Sequence, residues 1–529
     1  MKQLLLFILL LSTYTSVWAQ YRESRTNTPT VDQLAATITS EELERHLIIL
    51  ASDEFEGRET GQKGQKLAAQ YIAEFFQSCE MPAIGDDENY LQSIAFSADN
   101  WQKIRLLANG EEMRHLWDFY SFPSANSNRS ERTYRELTFL GYGIDDPKYS
   151  DYGQEDLSGK AIIILDGEPM NQKGESLLTD STAKSEWSYD WRMKMQTAKA
   201  KGVELVIVID GNFKENVADA RKQIISTNLE LGAGEMPEEN FANHLFITTK
   251  LAKDLMGNAY EDVVKARKKI EKKGKSKALS FPCQLALTQE KYSRRILGEN
   301  VLGYVEGTDA QLKEELLIVT AHYDHLGKQG GAIYHGADDN ASGTATVLEI
   351  AEAFVEAKKA GMGPRRSVLF LLVSGEEKGL LGSEYYVNNP VFPLENTIAN
   401  VNVDMVGRTD EKHADNPNYI YVIGSNRLST ELHDINERAN TQYTQLELDY
   451  TYNAEDDPNR YYYRSDHYNF AERGIPAIFY FSGTHEDYHR PTDTADKIML
   501  EKVKRIGDLV FYTCWELANR DERIKVDVK

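Results

Sequence analysis

The stretch SVLFLLVSGEEKGLLGSEYY, residues 367–386, decides the fold of this chain. Its first part, 368–373, is a short apolar run, which is typical of a fully buried strand. A Ser-Gly pair ends the run, and a segment of helical composition begins after Gly379. Between them stand Glu376 and Glu377, which repel each other and cost free energy to bury. The pair therefore either faces water or has a cationic partner.

Segments of the same two kinds alternate around this stretch, from residue 299 to the end of the chain. Short apolar runs are followed by polar loops, and amphipathic segments such as 342–361 come after the loops. This alternation predicts an α/β domain with a largely parallel sheet. Residues 40–78 predict further helix, interrupted by a polar, Gly-rich loop.

The sequence pattern changes from residue 130 to about residue 290, which indicates an inserted domain. The β-like runs LTFLGYGI and KAIIILDGE are followed by long, highly charged segments. We predict a small β-rich insert of ordinary domain size. No histidine lies between His115 and His244, so a metal site in this part of the chain is not expected.

The bulk composition excludes several classes of partner. The 529 residues carry a formal net charge of −23, whereas nucleic acids and anionic membrane surfaces bind basic patches. We therefore expect no nucleic acid as partner. We also expect no membrane span, because no stretch after the first residues is long and apolar enough to cross a bilayer. The composition leaves the oligomeric state open.

The first residues, MKQLLLFILLLSTYTSVWAQ, have the pattern of a secretory signal peptide. A lysine precedes a short apolar core, and small residues predict cleavage after Ala19. We therefore expect an exported protein, either periplasmic or secreted. Export permits a disulfide but does not require one. Cys79, Cys283 and Cys514 are either buried free thiols, which we favour, or form one disulfide with one thiol left over, and the sequence leaves this choice open.

Polar side chains stand where the predicted strands end, and in such sheets ligands bind beyond the carboxyl ends of the strands. These side chains are His322 and Asp324, Asp338 and Asp339, Glu376 and Glu377, Asp404, and His485, Asp487, Tyr488 and His489. Imidazoles and carboxylates without thiolates suit zinc, with manganese or cobalt as alternatives. The set is large enough for two ions that share a bridging carboxylate. Asp324, close after His322, could hydrogen-bond that imidazole and fix its tautomer.

Each of these residues, taken alone, also has an ordinary structural explanation. Asp338 and Asp339 precede a helix and could cap its positive end, and adjacent glutamates are common at surfaces. Histidines near many tyrosines are often plain surface residues. Asp404 is harder to explain in this way, because it ends an apolar strand, where an unpaired carboxylate is costly. The joint occurrence of the set at successive strand ends favours a metal centre.

Five motifs resemble those of the co-catalytic di-zinc aminopeptidases, a family of the clan MH metallopeptidases that includes bacterial leucine aminopeptidases. They are TAHYDHLG, GADDNASG, SGEEKGLLGS, NVDMVG and YYRSDHYNFAERGIPA with the later DYHRPTDT. The clan also contains glutamate carboxypeptidases, transferrin receptors and glutaminyl cyclases. The resemblance covers residues 299–510 and extends to LASDEFEGRETGQKGQKLAAQYIAEFF, residues 50–76. The insert, with LTFLGYGI and YGQEDLSGKAIIILDGEP, resembles the protease-associated (PA) domain that many members carry.

The resemblance implies a fold and a domain organisation. The fold is α/β, with a mostly parallel mixed sheet sandwiched by helices and a small β-rich PA domain inserted. The expected domains are the signal peptide (1–19), an N-terminal part of the peptidase domain (30–129), the PA insert (130–290) and the catalytic di-zinc domain (291–529).

The resemblance also implies a role for each site residue. Two Zn²⁺ ions are bound by His322, Asp339, Glu377, Asp404 and His489, with Asp339 as the bridge. Glu376 is the general base for the zinc-activated water, and Tyr488 stabilises the oxyanion. Asp324 orients the imidazole of the first ligand, and Asp338 is structural.

These roles predict an exported zinc aminopeptidase whose partner is a peptide substrate. The alternatives are a carboxypeptidase or dipeptidase on the same scaffold, a single-zinc glutaminyl cyclase, and a binding protein without hydrolytic activity. The side-chain preference is open. The aromatic stretch 449–470 either lines the pocket or packs as an ordinary loop. Arg464 and Arg490 either bind a substrate carboxylate or balance the local negative charge.

Overall fold

A computed structural model describes four stretches of the chain, residues 29–153, 155–225, 228–232 and 240–528. The predicted signal peptide, residues 1–19, lies outside the described residues. The chain divides into two compact units. The first runs up to Ile94 and resumes at Leu297, and the second spans Ala95–Ile296. The predicted insert, residues 130–290, lies within the second unit.

The sheet of the first unit is mixed and mostly parallel. Its central strand, Leu316–His322, pairs in parallel with Ser367–Val373 on one side and with Thr397–Val403 on the other. In sheet order the strands are Glu447–Asp449, Tyr419–Ile423, Ala477–Phe481, Thr397–Val403, Leu316–His322, Ser367–Val373 and the end of the long strand Leu279–Val305. Antiparallel pairs join Tyr419–Ile423 to Ala477–Phe481, and Ser367–Val373 to Leu279–Val305. The predicted α/β class with a mostly parallel mixed sheet is confirmed.

Both faces of this sheet are buried, which explains the continuous apolar runs in the sequence. Along the central strand, Leu317 and Val319 enter one core, whereas Leu316 and Ile318 enter another, because successive side chains point to opposite faces. The helices of the first unit are Val31–Ala35, Ser40–Leu50, Lys63–Ser78, Gly343–Lys359, Leu381–Asn388, Thr430–Ala439, His467–Glu472 and Leu500–Asn519. Two short strands, Gly327–Gln329 and Ala332–Tyr334, form a separate hairpin.

The second unit combines strands and helices around its own cores. Its strands are Leu91–Ala108, which begins in the first unit, Glu111–Met113, Phe119–Tyr120, Arg129–Phe139, Ala161–Leu165, Leu205–Asp210, Asn228–Leu231, Asn243–Thr248 and the first part of Leu279–Val305. Its helices are Glu186–Tyr189, Trp191–Ala200, Phe213–Ile225, Thr249–Met256 and Tyr260–Lys273. Ala161–Leu165, Leu205–Asp210 and Asn243–Thr248 pair in parallel. The assignment of this insert to the PA domains stays a prediction.

Two further expectations concern the membrane and the cysteines. Among the described helices, none combines the length and the apolar character that crossing a bilayer requires. Cys79, Cys283 and Cys514 are buried free thiols, which is the favoured one of the two alternatives that the sequence left open.

Candidate metal centre

The candidate site lies at the carboxyl edge of the parallel strands in the first unit. His322 is the last residue of the central strand and stands opposite Val373, three residues before Glu376. Asp404 directly follows the neighbouring strand Thr397–Val403. Since parallel strands end at the same edge, residues far apart in the sequence meet there. This is the convergence that the strand-end pattern predicted.

Asp339 reaches the same edge from the loop that enters the helix Gly343–Lys359. The side chain of the next residue, Asn340, fixes this loop to the neighbouring strand end. Its Nδ2 donates to the carbonyl of Val403 (3.0 Å), and its Oδ1 accepts from the backbone N–H of Met405 (3.1 Å). The loop is thereby fixed to the residues on both sides of Asp404, which brings the two aspartates together.

The two carboxylate oxygens of Asp339 face two different imidazoles. Oδ1 lies 3.3 Å from Nε2 of His322, and Oδ2 lies 3.1 Å from Nε2 of His489. Each imidazole also has a carboxylate of its own: Asp404 Oδ1 lies 3.2 Å from His322 Nε2, and Glu377 Oε2 lies 3.3 Å from His489 Nε2. We call these groups the His322 site (His322, Asp339, Asp404) and the His489 site (Asp339, Glu377, His489). Both contain Asp339, the residue predicted to bridge.

The residues of both sites fit a pair of metal ions. The carboxylates are nearly inaccessible to water, and Glu377 Oε1 is buried without a hydrogen-bond partner among the described residues. Acceptor-only carboxylates crowded together in this way need a cation to offset their repulsion and their loss of hydration. Imidazole nitrogens and carboxylate oxygens without thiolates form the donor set that zinc takes in catalytic sites.

The adjacent glutamates on the turn after Val373 differ in their surroundings. Burial raises the pKa of Glu376 well above its usual value, and the neighbouring carboxylates of Glu377 and Asp404 raise it further. Burial and the Asp339 carboxylate also raise the pKa of Glu377, but the adjacent imidazoles of His325 and His489 outweigh them and hold its pKa at about 2. Glu376 Oε2 lies 4.0 Å from His322 Nε2, beside the paired groups rather than within either of them. The two glutamates therefore have different capacities to hold a proton.

Asp324 lies at the site, but its contacts differ from those expected. Nδ1 of His322 lies 3.1 Å from the backbone carbonyl of Asp324, whereas the carboxylate Oδ1 is 3.8 Å away, which is too far for a hydrogen bond. The carboxylate instead accepts from Thr60 Oγ1 (2.7 Å) and from the backbone N–H of Glu376 (3.2 Å). Asp324 thus fixes the imidazole through its main chain and the Glu376 turn through its side chain.

Asp338 and His485 lie outside both sites. Asp338 Oδ1 accepts from the backbone N–H of Gly407 (2.6 Å), and Oδ2 lies 3.3 Å from His485 Nε2. The two residues face each other, and the Asp338 carboxylate holds the chain that follows Asp404. This placement agrees with the structural role expected for Asp338.

An apolar and aromatic cleft opens beside the paired groups. Its lining beyond the site residues comprises Met405, Tyr461, Arg464, Phe479, Phe481, Thr484 and Tyr488. The ring of Tyr488 stacks on that of His489, with 3.9 Å between centroids. The guanidinium of Arg464 lies 4.7 Å from the centroid of the Tyr461 ring. The aromatic stretch 449–470 therefore contributes to this cleft through Tyr461 and Arg464.

Sequence reasoning did not single out three residues that the structure places at the site. His325 Nδ1 lies 2.8 Å from Glu377 Oε1. Thr60 holds Asp324, and Arg58 donates to the backbone carbonyl of Tyr323, which lies between His322 and Asp324. The second histidine of the HYDH motif was the available signal for His325. Arg58 and Thr60 stand more than 250 positions from their partners, and no pattern within the sequence indicates such a contact.

The comparison with known families identifies the part of the chain that carries this site. Residues 300–514 match peptidase family M28. We call residues 300–514 the M28 segment. Both sites and the cleft residues lie entirely inside the M28 segment. The family resemblance drawn from the five motifs is confirmed.

Individual relatives match part of the chain. Aminopeptidase YwaD of Bacillus subtilis (strain 168) is 28% identical over 254 residues, which cover 45% of this chain and 50% of the relative. A probable leucine aminopeptidase of Arthroderma otae is 31% identical over 212 residues, which cover 39% of this chain and 55% of the relative. The chain thus spans about half the length of these curated relatives.

A solved aminopeptidase from Aneurinibacillus sp. strain AM-1 superimposes with a TM-score of 0.55 at 19% identity. The superposition covers 94% of this chain and 99% of the other. At this identity the likeness shows a shared fold. A shared fold does not determine the chemistry, which depends on the residues at the site.

Proposed function

We propose that the protein is an exported metallo-exopeptidase, a zinc aminopeptidase that removes N-terminal residues from peptides with two zinc ions and Glu376 as general base. The observation that carries the proposal is the position of Asp339, whose two oxygens face two different imidazoles. A carboxylate shared by two donor groups suits a pair of ions. The names of the relatives that match part of the chain support the choice of an aminopeptidase.

The residues of the His322 and His489 sites would hold the ions. Zinc bound there would polarise the scissile carbonyl and lower the pKa of an attacking water. Glu376 stands beside the ligands, where it takes the proton from that water and later gives it to the leaving amine. A carboxyl whose pKa is raised by burial suits this task, because it can retain the proton between the two steps.

Tyr488 is positioned to stabilise the oxyanion that forms on the attacked carbonyl. Its ring stacks on His489 and lines the same cleft as Glu376. Burial and the nearby Asp339 and Glu377 carboxylates raise the pKa of Tyr488 well above its usual value. The phenol therefore keeps its proton at neutral pH and can donate a hydrogen bond to the developing negative charge.

The substrate side chain would lie in the cleft. Because Met405, Phe479 and Phe481 present apolar surface there, N-terminal residues with apolar side chains fit it best. Export to the periplasm or the exterior rests on the signal-peptide pattern of residues 1–19.

A peptide-library digest tests the activity. We expect the zinc-loaded protein to remove residues one at a time from free N-termini, as read by mass spectrometry, and to leave N-acetylated copies of the same peptides intact. Removal of C-terminal residues, or cleavage of N-blocked dipeptides, would show a carboxypeptidase or dipeptidase instead. Two bound zinc ions with no cleavage of any peptide would overturn the proposal in favour of a binding protein.

The paired glutamates provide a matched set of variants for the mechanism. Glu376→Gln should lower kcat by about 10²–10⁴-fold, the range for loss of a general base, while the zinc content stays at the wild-type value. Glu377→Gln should lose zinc, because it removes a charged ligand from the His489 site. If Glu376→Gln keeps near-wild-type turnover, Glu376 is not the base.

A further inference from the structure

The imidazole of His325 is buried beside the His489 site without a partner that explains it. Its side chain is fully inaccessible, and neither ring nitrogen has a hydrogen-bond partner among the described residues. A buried imidazole without a partner is costly, so the missing partner needs an explanation. His325 directly follows Asp324, and its backbone N–H donates to the carbonyl of Arg58 (3.3 Å), which holds the main chain in place.

We propose that His325 is a fourth protein ligand of the ion in the His489 site, bound through Nδ1 together with Asp339, Glu377 and His489. The proposal rests on the proposed function, because it assumes that this site holds a metal ion. Nδ1 lies 2.8 Å from Glu377 Oε1 and 3.7 Å from Asp339 Oδ2. His325, Asp339 and Glu377 each offer one ligand atom within 4.8 Å of the others.

A simple hydrogen bond to Glu377 does not account for this arrangement. The 2.8 Å between His325 Nδ1 and Glu377 Oε1 would suit such a bond, yet both atoms are left without a hydrogen bond because the direction is wrong. Two ligand atoms of one metal ion have this relation, since each points at the ion rather than at the other. The unpaired oxygen of Glu377 and the unpaired nitrogen of His325 thus have one common explanation.

The surrounding chain fixes the ring in this orientation. Gly336 packs directly against it: a Cβ at that position would lie 2.5 Å from Cγ of the His325 ring. On another side the ring of His489 meets it edge to face, with 5.8 Å between centroids. A larger residue at 336 would displace the imidazole. The close approach of the glycine backbone therefore sets where Nδ1 points.

A fourth ligand makes the two ion sites unequal. The His489 site then has four protein ligands, as in structural zinc sites, whereas the His322 site has three and keeps an open position, as in catalytic zinc sites. We therefore expect one firmly held ion and one that exchanges more readily. The readily exchanged ion is the one beside Glu376.

Zinc retention tests the proposal without any measurement of activity. The wild-type protein is dialysed against a graded series of chelator concentrations, and its zinc is measured by mass spectrometry. We expect two steps, the second at a much higher chelator concentration. His325→Asn should lower the affinity for the firmly held ion by about 100-fold or more. Loss of a residue that only contacts a ligand costs about 10–100-fold, so a loss of this size indicates a ligand. His335→Asn is the matched control, because His335 lies on the same loop region and pairs with Asp53 instead.

The choice of asparagine separates a ligand from a hydrogen-bond donor. Its side-chain amide places an N–H near the position of Nδ1, so a residue that only donates to Glu377 would be replaced with little loss of zinc. Retention within about tenfold of wild type would therefore overturn the proposal. His325→Cys supplies a different metal ligand at the same place. With cobalt in place of zinc, it should show thiolate-to-metal charge-transfer absorption, and absence of that band would also overturn the assignment.

Folding and function can be told apart from the ligand assignment. Metal-free wild-type and His325→Asn proteins should melt at the same temperature, and the difference should appear only after zinc is added. If the wild type holds two zinc ions and removes N-terminal residues but His325→Asn retains both ions normally, the assignment of His325 as a ligand is wrong and the proposed function stands. If His325→Asn loses the firmly held ion while the wild type cleaves no peptide, the ligand stands and the function fails.

Discussion

Arg58→Lys should weaken both the fold of the first unit and its hold on zinc. The guanidinium is fully buried and donates to four backbone carbonyls, those of Leu50, Tyr323, His335 and Gly336. Burial lowers the pKa of Arg58 to about 10, with the surrounding carboxylates opposing, so it remains charged at neutral pH. One side chain thus joins the end of a helix to two of the loops that carry the proposed metal ligands.

The expected loss follows from the number of donors. A lysine ammonium has three N–H bonds in a tetrahedral arrangement and cannot reproduce the planar fork that reaches four carbonyls. We expect two of the hydrogen bonds to be lost, at about 1.5–3 kcal/mol each for a charged donor, which gives a loss of about 3–6 kcal/mol. With a denaturant slope of about 3 kcal/mol per M, the urea midpoint of unfolding should fall by about 1–2 M.

Arg366→Lys is the matched control for this experiment. Arg366 is also fully buried in the first unit and donates to the Glu315 carboxylate and to carbonyls at the end of the last helix. Its replacement should lower the urea midpoint but leave the chelator concentration that removes zinc unchanged. Arg58→Lys should lower both. An Arg58→Lys protein with the wild-type urea midpoint and the wild-type zinc retention would refute this account of Arg58.

Two further predictions concern the oxyanion and the buried acids. Tyr488→Phe should lower kcat on an amino-acid anilide by about 10²-fold with little change in KM, because the phenol stabilises the transition state. A rise in KM of about 10²-fold with an unchanged kcat would contradict this role. Burial and the nearby Glu42 raise the pKa of Glu349 from its ordinary 4.5 to about 8, so folding takes up a proton there and stability falls as pH rises through this window. Glu349→Gln should therefore raise the thermal midpoint of unfolding at pH 8 but leave it unchanged near pH 4.5. The same difference between variant and wild type at both pH values would count against this assignment.

Much of the fold, and the meeting of the candidate site residues at one edge of the sheet, could be predicted from the sequence, because they depend on local pattern. The run 368–373 is apolar at every position since both faces of the sheet are covered, and this marks a buried parallel strand. Once the strands are placed, the rule that ligands bind beyond their carboxyl ends brings His322 and Asp404 together. The same series contains Asp338 and Asp339 before a helix, and the choice of Asp339 as the bridge came from the family resemblance.

The remaining features depend on contacts that local pattern does not encode. Arg58 reaches Tyr323 across 265 positions of sequence, and its role becomes visible only when the four carbonyls are seen around it. The carboxylate of Asp324 was expected on the imidazole of His322, and the main-chain carbonyl takes that place. Both are polar atoms of the same residue within one short loop, and the sequence does not determine which of them turns toward the ring.

The different roles of Glu376 and Glu377 follow from what lies on either side of the turn that carries them. Glu377 lies between the imidazoles of His325 and His489, which keep it ionised as a ligand must be. Glu376 faces Asp404 and the cleft, where burial and like charge favour its protonated form. The proposed base, which must accept a proton, and the proposed ligand, which must not, are thus adjacent in the sequence and differ in their environments. Removal of His325 should therefore change the metal affinity of the His489 site more than it changes the pKa of Glu376.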